Sequence, residues 1–302
     1  QRLYNAITER INNNKYIFFK MCILLTYSGV NDEESDYSYV VASNRDEYYD
    51  RPAQPMAPWV EDPNVYGGRD LEAGCEGGTW LAISPIWKKI AVLLNLPGDK
   101  KENAKSRGNI VADFMKSDVS TINYIESMKD YFQLCNDFLF VTIELGKPPV
   151  TQTYSNATDK LEKWNEKSLG FGNSLPDRPL KKVEAAKNRM AEICTQFKKI
   201  NKQTELIEEL IKFLKSKEQY LPDPQLEMRQ PNIYTQLSSI FVEVPVAKYG
   251  TRTHTIILVT KTGHIDVIEI TMTPPEQQTP KEFKWKRTEF KFDILKKNIV
   301  IF

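Results

Sequence analysis

The sequence predicts a layered α+β domain. Strand-like, β-branched runs crowd both ends of the chain, helical periodicity is confined to the middle, and strands and helices do not alternate one for one. That pattern suits helices packed on sheets rather than a succession of βα units. At 302 residues the chain is long for one domain but within the range of large sheet-based single domains.

Residues 1–20 begin with Gln and lead through Asn12-Asn13-Asn14-Lys15-Tyr16-Ile17-Phe18-Phe19-Lys20 without a clean apolar period. They read as an upstream extension, with Met21 as the natural start and residues 21–302 as one domain. The other reading is a targeting arm, since Arg2, Arg10, Lys15 and Lys20 stand against Glu9, weakly like a mitochondrial presequence. The apolar run from Tyr16 to Leu25 is broken by Lys20 and lacks a small-residue cleavage site, which makes a poor secretory core. No run approaches the ~20 apolar residues of a membrane span.

From there strands are expected at Cys22–Ser28, Ser38–Ser43, Thr79–Ile83, Lys88–Leu96 and Phe138–Glu144. A loop rich in Pro, Trp and Gly, Asp50–Asp70, is long enough to carry function. A short helix, Asn109–Met115, follows Gly108. Apolar residues at Val183, Ala186, Met190, Ile193 and Phe197 recur at helical spacing. Leu206, Ile207, Leu210, Ile211 and Leu214 do the same after Thr204 as N-cap, and Pro222 and Pro224 close that segment. Ser239–Val244, Thr253–Thr260 and His264–Thr271 form a final strand series. Lys261-Thr262-Gly263 marks a hairpin between the last two, and Glu282–Phe292 alternates partly, as an edge strand does.

Composition excludes some functions. Lys and Arg number 41 against 40 Asp and Glu, a net charge of +1, which argues against nucleic acid as the main partner. Cys22, Cys75, Cys135 and Cys194 show no Cys-x-x-Cys spacing, so neither a zinc site nor a redox dithiol is indicated; free thiols in a reducing compartment are expected. With His254 and His264 as the only histidines, no metal site built from several histidines is expected.

Four segments carry candidate chemistry. Met21-Cys22 leads into a strand. A Cys freed as the first residue combines a thiol with an α-amine whose pKa near ~8 makes it a built-in base; read alone, Cys22 is a small buried hydrophobe at a strand start. Asn44-Arg45-Asp46-Glu47 ends a strand: Asp46 suits an ammonium, and Arg45 suits a thiolate or carboxylate. The plain reading is a surface turn with a salt bridge. Glu76-Gly77-Gly78-Thr79-Trp80 allows positive φ and close backbone approach, or simply a tight turn. Tyr249-Gly250-Thr251-Arg252-Thr253-His254-Thr255 collects polar groups where an apolar strand begins, as an anion-facing site would, although His254 alone reads as structural.

Together and in this order, these segments resemble the transport and Golgi organisation family, called "NRDE" after Asn44-Arg45-Asp46-Glu47. Arg107-Gly108, Phe171-Gly172-Asn173-Ser174, Leu221-Pro222-Asp223-Pro224 and Gly250-Thr251-Arg252-Thr253 match as well, so the resemblance spans about Met21 to Phe292. It implies a four-layer αββα sandwich similar to the cysteine-type N-terminal-nucleophile hydrolases. Their catalytic order Cys, Arg, Asp, Asn, Asn, Arg would fall on Cys22, Arg45, Asp46, Asn95, Asn173 and Arg252. The resemblance makes Cys22 the nucleophile, and Asp46 the residue that orients its amine. Arg45 and Arg252 would set the thiol's electrostatics, and Asn95 and Asn173 would donate to an oxyanion. Asn44, Glu47, Gly77, Gly78, Trp80, Thr251 and His254 would surround the ligand. One departure stands out: Arg45 and Asp46 are adjacent, and neighbours on a strand point to opposite faces, so one of them is expected to miss the site. With residues 1–20 attached, Cys22 also has an amide where the mechanism needs an amine, which makes Met21–Cys22 a candidate processing site.

What the resemblance implies about role is mainly trafficking: Golgi organisation, haem mobilisation and lipid homeostasis, in the cytoplasm with mitochondrial or Golgi association. No resident cofactor is implied. Haem or an acyl lipid enters as transported ligand, though no Cys-Pro or Cys-x-x-Cys-His signal marks haem ligation. The leading reading is a haem- or lipid-handling carrier with a hydrolase-like pocket. An active thiol amidohydrolase or acyltransferase is the alternative, and an interaction protein with a vestigial pocket the third.

Overall fold

The computed structural model describes residues 21–273 and 283–294. The upstream extension read at residues 1–20 lies outside the described residues, as do residues 274–282 and 295–302 of the expected domain. Strand β1 (Ile23–Ser28) and strand β2 (Tyr37–Tyr48) show how the sequence builds the centre. Alternate side chains enter different apolar layers. Ile23, Leu25, Tyr27, Val40 and Ala42 enter one, and Leu24, Tyr39 and Val41 the other. A strand buried on both faces is what a nearly continuous apolar run implies.

Around this pair lies a seven-stranded antiparallel sheet in the order β10 (Ser168–Phe171), β1, β2, β12 (Tyr249–Thr260), β13 (His264–Met272), β14 (Trp285–Asp293), with β11 (Glu243–Val244) pairing on β12. The second sheet, also seven-stranded and antiparallel, follows chain order: β3 (Ala53–Pro58), β4 (Tyr66–Asp70), β5 (Leu81–Ser84), β6 (Lys89–Asn95), β7 (Phe138–Glu144), β8 (Val150–Ser155) and β9 (Lys160–Trp164). Leu24, Val41 and Ile257 of the first sheet meet Leu81, Val92 and Val141 of the second to form the central layer. Helix α1 (Gly108–Met115) and helix α2 (Thr121–Gln133) cover the outer face of the second sheet through Phe114, Tyr124 and Phe132. Helix α3 (Lys181–Gln196) and helix α4 (Gln203–Leu214) cover the first through Met190, Ile193, Leu206 and Leu210. Two short helices, α5 (Pro224–Arg229) and α6 (Tyr234–Leu237), complete that layer. The result is the four-layer αββα sandwich. Burying each such side chain stabilises the fold by roughly 1.5–3 kcal/mol relative to leaving it exposed.

Several expectations change. The Asn44–Glu47 segment does not end a strand; β2 runs through it to Tyr48, and β12 likewise takes in Gly250–His254. The presumed loop 50–70 contains β3 and β4. Pro55 and Pro58 hid β3, yet β3 is an edge strand, where a missing N–H is tolerated. Of Ser239–Val244 only Glu243–Val244 form a strand, and Ser239 makes an isolated bridge to Gln219. Thr204 is not an N-cap, because α4 continues from a 3-10 turn over Ile200–Lys202 and already includes Gln203. Among the described residues no helix is long and apolar enough to cross a membrane.

Candidate functional site: the Cys22 cleft

Cys22 sits just ahead of β1, half-buried, and packs against the central apolar layer. It lines a cleft of about 280 Å³ with Arg45, Glu47, Trp80, Asn95 and Arg107. The thiol is held by the neighbouring strand: the backbone N–H of Asp46 donates to Sγ at 3.4 Å, and Sγ lies 3.7 Å from Asp46 O. A second cavity, about 560 Å³, adjoins it and shares Asn95, Arg107 and Asn136 as lining.

Alternation along β2 separates Arg45 from Asp46, as their adjacency requires. Arg45 turns into the cleft, its guanidinium 3.9 Å from the centre of the Trp80 ring and 3.7 Å from Glu47. Glu47 also faces Arg51 at 3.6 Å, and Arg51 forks onto Asp70 with bonds of 3.2 and 2.7 Å. Asp46 turns to the helix side. There Thr251 donates to its Oδ1 at 2.6 Å, and Oδ2 is buried without a partner among the described residues. Burial raises the Asp46 carboxyl to about 7, against the lowering pull of Lys182 and the Thr251 hydrogen bond. The miss expected of one residue is therefore a division of labour: Arg45 faces the thiol's cleft, and Asp46 lies behind the backbone that carries the thiol.

Two further residues complete that rear cluster, of which Lys182 was not foreseen and Tyr249 was expected on the polar segment at the strand start. Lys182 of α3 is fully buried and donates to Met21 O and Ser239 O, each at 3.1 Å. Burial lowers its pKa, opposed by Asp46 and Cys22. Tyr249, also fully buried, accepts the Met21 N–H on its hydroxyl at 3.0 Å, and burial raises its pKa further than any neighbouring group does. A signal for Lys182 was present: Lys182, Ala186 and Met190 follow one another at four-residue spacing on the buried stripe of α3.

The remaining expected residues divide. Asn95, at the end of β6, lines both cavities, and Asn173 Nδ2 donates to its carbonyl at 2.6 Å. One amide hydrogen of Asn173 is thus spent on bracing β6. Arg252 is buried and donates to Tyr48 O at 2.9 Å and Arg51 O at 2.6 Å, so it supports the turn after β2. Burial, helped by nearby Arg45, lowers its pKa to about 10. Gly77 has φ +77°, and Gly78 lies so close to Gly108 that a Cβ would meet Gly108 Cα at 3.0 Å. These glycines shape the cleft wall without lining it. Trp80 and Glu47 line it directly.

His254, Asn44 and Thr251 are not brought to the cleft, a correction to the ligand set. They lie on the helix-facing side of the sheet, with His254 paired opposite Asn44 across β12 and β2. Asn44 Nδ2 donates to Leu214 O at 2.8 Å and Ile240 O at 2.9 Å, while its Oδ1 is 2.6 Å from His254 Nδ1. The His254 ring stacks on Trp285 at 5.1 Å, and burial lowers its pKa to about 3, so it is neutral. Neither His254 nor the wholly buried Tyr249 is open to a ligand. Cys75, by contrast, is a second half-buried thiol on the cleft wall.

The sequence places the chain among known proteins. The family model described as Transport and Golgi organisation 2 matches residues 21–274. Transport and Golgi organization protein 2 of Drosophila melanogaster is 36% identical over 284 residues, 91% of this chain and 99% of that protein. The human homolog is 32% identical over 242 residues, 78% and 87% of the two chains, and the mouse homolog 30% over 263, 85% and 93%. Among solved structures, a variant of conjugated bile acid hydrolase from Clostridium perfringens is similar over 93% of this chain and 96% of its own, at 7% identity and a TM-score of 0.34. The fold assignment rests on the layers themselves and not on that likeness. Given a family match across residues 21–274 and a fly relative covered over nearly its whole length, the chain belongs to the Transport and Golgi organisation 2 family.

Proposed function

We propose that this chain serves intracellular transport and Golgi organisation by holding a lipid- or haem-class ligand in the Cys22 cleft. Haem mobilisation and lipid homeostasis, in cytoplasm, mitochondrion or Golgi, are the processes this reading names. The names of the curated relatives support the first half. The observation that carries the second is the pair of adjoining cavities with Arg107 on their shared lining. Trp80, Leu93, Leu96 and Met21 offer apolar wall, and Arg45 and Arg107 offer guanidinium groups, a combination suited to an apolar body with an acidic end. For haem as cargo, thiol contacts would come from Cys22 or Cys75, since His254 faces the helices. Titration with haem, followed at the Soret band, and with a long-chain fatty acid is expected to saturate. Trp80→Ala should weaken binding about tenfold, as loss of an aromatic anchor does. Binding that never saturates, or is untouched by Trp80→Ala, removes the reading.

A second reading, acyl transfer at Cys22, is favoured by the thiol's position beside the Asp46 amide and the Arg45 guanidinium. Cys22 Sγ would attack an acyl carbonyl and form a thioester as the C–N or C–O bond breaks, with Asn95 and Asn173 at the oxyanion and Arg45 and Arg252 in the surrounding field. The thiol proton, taken up by the free amine, would pass to the departing amine or alcohol, and water or an acceptor would release the acyl group. Asp46 would orient the Cys22 amine in a chain where that amine is free. Acyl-enzyme mass on Cys22 after exposure to an activated acyl ester, lost in Asp46→Ala, is the expected signature. An unmodified Cys22 rejects it.

A further inference from the structure

Arg107 immediately precedes α1 and lines both cavities. Its guanidinium has five N–H donors. Among the described residues one bond is made, from Nη1 to the backbone carbonyl of Asp137 at 2.7 Å, and no ion pair joins it to a carboxylate. The other two arginines of the cleft are already engaged. Arg51 is forked onto Asp70, and Arg45 lies between Glu47 and Trp80. In the larger cavity Arg229 donates to Asn173 O at 3.1 Å and to the Gln225 side chain.

We propose that Arg107 is the anion anchor of this chain: the ligand of the Cys22 cleft carries an oxyanion, carboxylate or phosphate, seated on Arg107 where the two cavities share their lining. This rests on the reading that the cleft binds a ligand, and adds the chemical class of its polar end. Three observations point the same way. Burial lowers the Arg107 pKa to about 10, against the upward pull of Cys135 and Asp137. A charged group withdrawn from water with no carboxylate bonded to it is costly, and a bound oxyanion returns part of what burial removes. The helix that follows Arg107 has no acidic residue in its first turn and no side-chain cap, so its own first turn supplies no anion, and a neighbouring carboxylate, Asp137, makes no ion pair with the guanidinium among the described residues. Lys100 and Lys105, each on the lining of one cavity, extend the positive field on either side of Arg107. The planar fork of an arginine favours a bidentate oxyanion over a neutral carbonyl or hydroxyl.

The test uses four probes on the full chain: octanoate, octyl phosphate, octanol, and inorganic phosphate as a head group without a tail. Affinities are measured by calorimetry on wild type, Arg107→Gln and Arg107→Lys, with thermal unfolding as the check on folding. Octanoate or octyl phosphate is expected to bind at least tenfold more tightly than octanol. Arg107→Gln should erase that preference and Arg107→Lys should keep part of it. Phosphate binding that depends on Arg107 identifies the head group itself as sufficient, while a preference for octanoate identifies a carboxylate. Equal affinity for octanol and the anions in wild type overturns the anchor but leaves a cleft that binds apolar chains. So does an anion affinity unchanged by Arg107→Gln. If no probe binds, the ligand-binding reading and the anchor fall together. If Arg107→Gln unfolds, Arg107→Lys decides: a reduced preference for the anions supports the anchor, and an unchanged preference overturns it.

Discussion

Lys182 Nζ donates to the carbonyl oxygen of Met21 at 3.1 Å, which sets a buried cation from the helix layer against the peptide unit preceding Cys22. The same ammonium reaches Ser239 O and feels the charge of Asp46. One side chain thereby ties α3, the start of β1 and the segment leading to β11 together behind the thiol.

Replacing Lys182 with Met keeps the length and removes the donor. Met21 O and Ser239 O then lose a donor inside the protein. Leaving a buried acceptor unmet costs about 1–3 kcal/mol. Guanidinium unfolding at pH 7 measures it, and a loss below about 1 kcal/mol would show that Lys182 is not a structural tie.

Asp46 and His254 act on stability in opposite directions. Asp46, raised from 3.8 to about 7, keeps a proton in the fold that the unfolded chain has lost. Its effect is that stability falls as pH rises between those values, by up to about 1.4 kcal/mol per unit. His254, lowered from 6.5 to about 3, is neutral in the fold while the unfolded chain is protonated, so its contribution rises with pH across that window and is lost on acidification. The two slopes oppose each other from about pH 4 to 6.5. Asp46→Asn is expected to uncover a rising profile and His254→Gln a falling one. Urea midpoints across pH 4–7 check both, and profiles parallel to wild type would discard the assignment.

Among the thiols, Cys22 and Cys75 are half-buried on the cleft, whereas Cys135 and Cys194 are buried. Burial pushes the Cys135 thiol up to about 11 and raises Cys194 as well. Iodoacetamide at pH 7.5, read by peptide mass, should alkylate Cys22 and Cys75 while Cys135 and Cys194 stay free until the chain unfolds. Early labelling of Cys194 would place the α3 layer wrongly.

Gly78 and Gly108 bring the backbone before β5 against the start of α1. A Cβ at Gly108 would lie 2.8 Å from Gly78 Cα and 3.0 Å from Thr79 N. Both neighbours are backbone, so the strain cannot be relieved by turning a side chain. Gly108→Ala is expected to destabilise by about 1–3 kcal/mol and to displace Arg107 with the helix end. Thermal unfolding and the octanoate affinity together report the two effects; an unaltered melting temperature would show that the helix end shifts freely.

Much of the frame was legible because burial leaves a periodic trace. Phe138–Glu144 appears as β7 with the expected bounds, and Lys261-Thr262-Gly263 does turn β12 into β13. Helices α3 and α4 follow their apolar spacing. Part of what failed had a weaker or contrary trace. The β8–β9 hairpin was not marked out, since Lys160–Trp164 is an edge strand with exposed charges. Helix α2 was passed over although Tyr124, Ile125, Met128 and Phe132 recur at helical spacing in Thr121–Gln133. Within the site, Cys22, Arg45, Trp80 and Asn95 were legible from motif order, and the opposite facing of Arg45 and Asp46 from strand alternation. Lys182 was not, because a lysine beside Lys181 at a helix start reads as solvated. Its four-residue spacing from Ala186 and Met190 was the one contrary signal, and the packing of α3 against β1 shows that it is inside.

The pairing of β2 with β12 skips one residue: Thr251 lies opposite Asp46 and Thr253 opposite Arg45, leaving Arg252 as an extra residue. That single unpaired position acts as a phase shift between two halves of one strand. Beyond it, Ile256 and Leu258 face the helices; before it, Tyr249 and Thr251 face them too, although an odd number of steps separates the two sets. Changing the Arg252 side chain would remove a guanidinium. Deleting the residue would invert the strand's first half, turning Thr251 away from Asp46 and the Tyr249 hydroxyl away from Met21. The chain length at that point is itself an instruction, independent of which amino acid supplies it.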